Sequence, residues 1–215
     1  LQTQRTKQGH LMEDLLFWVG LAAVAVNAIT GVLEAESKDM DLLGAIMIAA
    51  AAALGGGSLR DVLLDRPVFW IANQIYLEVG ILAAVATFYW GRRRKISPEL
   101  FLYPDALGLA LFSIVGTQIA LQWEAPWLAA SLLGVITGVF GGVLRDVFCN
   151  QIPLTFLPSE LYATASWMGS LTLIGLQELS VDATLSAWIG MATVFLLRAA
   201  AIHFKIKLPT FQNRP

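Results

Sequence analysis

Gly56-Gly57-Ser58-Leu59-Arg60-Asp61-Val62 recurs as Gly141-Gly142-Val143-Leu144-Arg145-Asp146-Val147, each residue displaced by 85 positions. The same displacement, with no gap, carries Ile29 onto Ile114, Gly31 onto Gly116, Ala35 onto Ala120 and Leu43 onto Leu128. A lone Gly-Gly pair recurs by chance, whereas a register held over that length does not. The chain reads as a duplicated unit, so the number of membrane crossings in each copy decides the fold.

Hydrophobic residues make up 57% of the 215 and charged residues 14%, against about a quarter charged in an ordinary soluble domain. With about 20 apolar residues needed per crossing, this length holds seven short spans and no sizeable soluble domain. The expected spans are Leu15–Leu33, Leu42–Leu54 with a continuation through a glycine break, Val68–Trp90, Ala106–Trp123, Trp127–Leu144, Leu161–Leu176 and Ala183–Phe204. The fold class is therefore all-α integral membrane, with seven transmembrane helices: two three-helix repeats and one C-terminal helix. An odd number of crossings per repeat forces the second copy to enter from the opposite face, so the repeats are inverted. The layout is a 1–14 N-terminal segment, a first repeat over 15–91, a basic loop over 92–104, a second repeat over 105–177, a seventh helix over 178–204 and a tail over 205–215.

Arg92-Arg93-Arg94-Lys95 follows the third span and assigns that side to the cytoplasm. Counting back puts the N-terminus outside, and counting forward puts the C-terminus inside with His203, Lys205 and Lys207; Arg5 and Lys7 oppose this weakly. The polar stretch Leu1 to Asp14 and the lack of a small-residue cleavage pattern after Leu15–Leu33 read as a retained span. Trp18, Trp70, Trp90, Trp123 and Trp127 sit mostly near span ends, as an interfacial belt would. A single Cys149 and two histidines near opposite chain ends offer no disulfide or metal constellation. We read no enzyme, cofactor, metal or nucleic-acid partner.

Gly55-Gly56-Gly57, and Gly138 with Gly141-Gly142, lie within the second and fifth spans. One reading has them break the helices so that exposed carbonyls line a wet path and replace part of an ion's hydration shell. The other has them let helices pack closely. Matched breaks in inverted repeats are a recurrent transporter and channel design, with the pathway at the repeat interface.

Arg60-Asp61 and Arg145-Asp146 are neighbours in sequence, so their side chains leave a helix about 100° apart and each pair is expected not to bridge itself. Pseudo-twofold symmetry suggests Arg60 with Asp146 and Asp61 with Arg145. Depth suggests instead that the two pairs sit at opposite membrane faces, each arginine anchoring a lipid phosphate or pairing with neighbouring loops; an arginine that faced the path would act as a gate by electrostatic repulsion. Glu78 is the leading intramembrane acid, read either as a cation site or as the partner of Arg60 or Arg145. Arg198 is expected to snorkel from the last span. Ser113, Thr117, Ser166 and Ser170, among other small polar residues, are expected to glue helices together.

The doubled Gly-Gly-x-x-Arg-Asp motif, the three-plus-three-plus-one plan and Asp65-Arg66-Pro67-Val68-Phe69-Trp70 resemble the bacterial branch of the trimeric intracellular cation (TRIC) channel family, some members of which are named as glycine transporters. The resemblance covers roughly Asp14 to Phe204. It implies a homotrimer in the cell (inner) membrane, permeable to K⁺ and Na⁺, with a pore in each subunit bounded by the glycine-kinked second and fifth spans. Carried over on that basis are Gly56, Gly57, Gly141, Gly142, Arg60, Asp61, Arg145 and Asp146. Leu-Arg-Asp stands where the animal members have Lys-Glu-Val, and Ile152-Pro153-Leu154-Thr155 replaces Pro67-Val68-Phe69-Trp70 after the second motif. The leading expectation is passive monovalent cation conduction across membrane lipid. The alternative is a secondary transporter of glycine or another small amino acid.

Overall fold

The computed structural model describes residues 2–91, 99–157 and 161–206, with side chains described from Leu11 onward and, in the second block, from Phe101. Among these residues the chain is all helical: α1 (Gln2–Glu36), α2 (Leu42–Leu63), a single turn α3 (Phe69–Ala72), α4 (Ile75–Gly91), α5 (Glu99–Gln122), α6 (Trp127–Phe148), a 3₁₀ turn (Leu154–Phe156), α7 (Ala163–Glu178) and α8 (Ala183–Phe204). Five helices are long and apolar enough to cross a membrane, namely α1 from Leu11, α2, α5 from Phe101, α6 and α8. The remaining two expected spans correspond to α4, apolar but only 17 residues, and α7 of 16. The Arg92–Lys95 cluster and Lys207 lie outside the described residues.

Capping explains where several helices begin and end. Asp41 accepts from Gly44 N at 2.7 Å to start α2, and Asp182 accepts from Leu185 N at 3.0 Å to start α8. Lys205 closes α8 in the left-handed region. The turns repeat with the sequence: Asp39 and Glu124 have φ of 53° and 58°, and Asp65 and Asn150 have 50° and 55°, each pair 85 residues apart.

Two expectations about interruption are corrected. Both α2 and α6 run through their glycines as continuous helices, because tertiary packing on a small-residue face outweighs the roughly 1 kcal/mol cost of each helical glycine. The interruption lies in the third run instead. Val68–Trp90 divides at Asn73, with Asn73 Oδ1 accepting from Ile75 N at 3.2 Å.

At the centre α2 and α6 cross antiparallel with reciprocal contacts. A Cβ on Gly56 would collide with the Thr137 carbonyl, and one on Gly141 with the Ala52 carbonyl; Gly56 corresponds to Gly141, and Ala52 to Thr137, in the 85-residue register. Of the five long apolar helices, α5 has the most buried core stretch, and it packs against α1, α6, α7 and α8. Hydroxyl pairs join it to α7: Ser113 to Ser166 at 2.6 Å and Thr117 to Ser170 at 2.9 Å, followed by Gln177 to Gln118 at 2.7 Å. These polar residues do act as glue between helices.

Candidate functional site

The duplicated motif closes both central helices with the same local structure. Arg60 Nε donates to Asp61 Oδ1 at 2.8 Å, and Arg145 Nε to Asp146 Oδ1 at 2.8 Å, so each pair bridges itself, contrary to the expectation drawn from helix angles. The long arginine side chain folds back over the 100° divergence. The second carboxylate oxygen reaches past the helix end, where Asp61 Oδ2 accepts from Phe69 N at 2.8 Å and Asp146 Oδ2 from Leu154 N at 3.0 Å. Each aspartate thus ties its arginine to the turn eight residues on.

Pairing across the pseudo-twofold axis is ruled out by geometry. From a crossing that sets Gly56 level with Thr137, antiparallel helices at 1.5 Å per residue separate Arg60 from Arg145 by about 18 Å along the axis. The arginines occupy opposite ends of the crossing. Neither reaches outward as an interfacial anchor, since Arg60 is 2% and Arg145 0% exposed.

The surroundings of the two motifs differ. Arg145 Nη1 donates to Asp105 Oδ1 at 2.8 Å and to Thr30 Oγ1 at 3.3 Å, and its guanidinium lies 4.6 Å from the Phe101 ring centre. Asp105 is 1% exposed, so this centre is closed and holds two carboxylates against one motif arginine. Tyr162 and Arg198 complete the neighbourhood, with the Arg198 guanidinium 5.0 Å from the tyrosine ring centre. Arg198 is fully buried and does not snorkel, because α8 turns that side of its helix into the bundle.

Around Arg60 there is a cavity of about 320 Å³ instead. Arg66 Nε lies 3.6 Å from Asp61 Oδ1, with its guanidinium 4.8 Å from the Trp123 ring centre. Asp61 therefore faces two guanidiniums, and the exposed Glu13 lines the same cavity. A second cavity, about 540 Å³, lies at the other end of α1 and α2 and is lined by Glu36, Asp39 and Asp41 together with Thr87 and Tyr89.

Glu78 is exposed in the first turn of α4, where its Oε1 accepts from Gln74 Nε2 at 3.0 Å; the structure brings it to neither motif arginine. Asp105, Arg66 and Tyr162 were missed by sequence reasoning. Asp105 is the first residue of the second repeat and stands one residue before the expected start of the fourth span, whereas its 85-residue counterpart, Gly20, lies inside the first span.

The glycines divide by neighbour. Besides Gly56 and Gly141, a Cβ on Gly55 would collide with the Leu144 side chain, one on Gly57 would come within 2.6 Å of the Phe69 ring, and one on Gly138 would collide with the Ser113 hydroxyl. Gly142 is looser, its nearest neighbours being the Tyr162 hydroxyl at 3.3 Å and Arg145 Nη2 at 3.5 Å.

The chain matches the family described as glycine transporter twice, over residues 17–92 and again over 102–178, which is the duplication seen in the sequence. It is 38% identical over 200 residues to the inner membrane protein YadS of Escherichia coli, covering 92% of this chain and 96% of that one. Its fold superposes on the TRIC trimeric intracellular cation channel orthologue from Rhodobacter sphaeroides with a TM-score of 0.85 at 33% identity, covering 89% of this chain and 98% of that one. A second TRIC cation channel structure gives 0.83 at 31% identity, covering 92% and 97%. By twofold match and by fold, this chain belongs to the membrane-protein family described as glycine transporter, whose architecture it shares with the TRIC channels.

Proposed function

We propose that this protein is a passive channel for monovalent cations, K⁺ and Na⁺, working as a homotrimer in the inner membrane with a pore inside each subunit. The observation that carries the reading is the likeness to the Rhodobacter sphaeroides TRIC channel over 98% of that chain at 33% identity. Within the subunit we assign two inverted three-helix repeats plus α8, with the domain limits expected from sequence. The reciprocal antiparallel contacts of α2 and α6 support this, because equivalent helices related by an in-plane twofold axis must run in opposite senses.

The path follows the seam between α2 and α6. Gly55, Gly56, Gly57, Gly138, Gly141 and Gly142 set its width, and with the backbones touching at Gly56 and Gly141 conduction requires the two helices to part. The acidic cavity at Glu36, Asp39 and Asp41 concentrates cations at one mouth. Arg60 and Arg145, held by Asp61 and Asp146, flank the constriction and are assigned as gating charges, because movement of those ion pairs changes the field that a cation meets there. Glu78 lies on the exposed side of α4 and is assigned a lesser role there. The exposed apolar residues, among them Trp18, Leu43, Met47 and Leu196, face lipid or neighbouring subunits. The N-terminus lies outside and the C-terminus in the cytoplasm.

Single-channel recording of purified protein in a planar bilayer under a KCl gradient tests the reading. Discrete openings with a cation-sign reversal potential are expected; silence across many verified fusions sinks it. The family's description favours a second reading, secondary transport of glycine or another small amino acid, and glycine uptake into proteoliposomes without channel openings would put that reading first.

A further inference from the structure

The two motif centres are built on one plan and differ at two positions of the repeat that carry charge. Position 105 of the second repeat, Asp105, answers to Gly20 in the first, and Gln151 answers to Arg66. Where Arg145 has a second carboxylate at 2.8 Å, the first half has Gly20, whose Cβ would face the Tyr76 ring and hydroxyl, and a cavity lined by both Gly20 and Arg60. Where the second centre has a neutral amide turned away to Glu34 Oε1 at 2.7 Å, the first has another guanidinium on its lone motif aspartate. The cavity lies beside Gly20, the counterpart of Asp105 in the 85-residue register. It runs from the exposed rim of Glu13, Gln122 and Trp123 to the buried Arg60, and Gly20 and Tyr76 stand on its wall.

We infer that the Arg60–Arg66 cavity binds a small carboxylate ion, which takes the place that Asp105 takes beside Arg145. The charge-assisted, two-oxygen geometry that guanidinium groups favour suits a carboxylate, and about 320 Å³ holds a molecule the size of acetate or glycine with room for water. Phe17 and Phe69 on the same wall keep the surroundings apolar, which strengthens the ion pairing. The inference concerns binding and stands whether the protein conducts or carries.

The test is thermal unfolding of the full chain in phosphatidylcholine nanodiscs, with acetate or inorganic phosphate exchanged for chloride at constant ionic strength, or with glycine added at fixed chloride. A ligand of the folded state raises Tm in a saturable way, and acetate and glycine are both expected to do so. Gly20→Asp supplies the carboxylate from the chain. Its Cβ would come 3.2 Å from the Tyr76 ring edge, a side chain with room to give, so this variant is expected to have a higher Tm without ligand and no further rise with acetate. Arg66→Gln, the residue found in the second repeat, keeps the test decisive if Gly20→Asp misfolds: its apparent acetate affinity should fall at least about tenfold. An acetate response unchanged in Arg66→Gln overturns the inference, as does no saturable rise with any carboxylate. A response to phosphate or to added phosphatidylglycerol, with none to acetate, assigns the site to phosphate chemistry and overturns it equally.

Discussion

At the scale of single residues, Asp105 illustrates how much of a buried charge centre depends on one carboxylate. Arg145 is fully buried and donates to both Asp105 and Asp146. Removing one partner of a buried pair leaves charge uncompensated in a low-dielectric interior and costs about 3–5 kcal/mol. Asp105→Ala is therefore expected to lower the unfolding temperature markedly in detergent, with Asp105→Asn intermediate because it keeps a hydrogen-bond acceptor. An Asp105→Ala protein as stable as the parent would mean that Arg145 does not need the second carboxylate. Cys149, just beyond α6, gives a second residue-scale prediction. It is 2% exposed, and burial together with the Glu34 carboxylate pushes its thiol pKa up. A raised pKa lowers the thiolate fraction at pH 7–8, so maleimide labelling of the folded protein should be far slower than that of a free thiol and should become fast on denaturation.

At the scale of elements, the α2–α6 crossing depends on glycines that are not interchangeable. Gly141 has the Ala52 backbone against the position of a Cβ, while Gly142 has a tyrosine hydroxyl and an arginine tip that move easily. Gly141→Ala is expected to destabilise the bundle by about 1–3 kcal/mol, and Gly142→Ala by much less; Gly175, with nothing within 4 Å, should accept alanine freely. Equal losses for Gly141→Ala and Gly142→Ala, read by thermal unfolding, would contradict the packing described for the crossing. The third run of each repeat follows another rule. Asp61 and Asp146 use their second oxygen on Phe69 N and Leu154 N, so a short turn forms after each motif; in the first repeat it stands where apolar sequence predicted a continuous span from Val68, and in the second it precedes the span expected from Leu161.

At the scale of the whole molecule, the bundle is organised around α5 and the antiparallel pair α2–α6, with its two arginine centres at opposite ends. Large apolar side chains such as Trp18, Leu43, Leu132, Trp188 and Leu196 are exposed on its outside, as a membrane environment requires. Native mass spectrometry from mild detergent is expected to give a trimer, and a monomer alone would remove the oligomer from the proposal. Epitope tags should report a C-terminus reachable only after permeabilisation and an N-terminus reachable on intact spheroplasts. The reverse pattern would invert the assigned topology.

Composition, the 85-residue register and the doubled Gly-Gly-x-x-Arg-Asp motif were enough to establish an all-helical membrane protein with a duplicated unit and to single out the motif, because hydropathy and repetition are properties of the chain itself. The boundaries of α8 follow from sequence alone, since capping by Asp182 and an apolar run are both local. The pairings needed the tertiary structure. Whether Arg60 meets Asp61 or Asp146 depends on how two helices cross, and whether a glycine breaks a helix or packs it depends on what lies opposite. The contrast between Asp105 beside Arg145 and empty space beside Arg60 appears only when Gly20 and Asp105 are placed against the ends of α2 and α6. Sequence supplies the charges; long-range packing decides which of them are already satisfied.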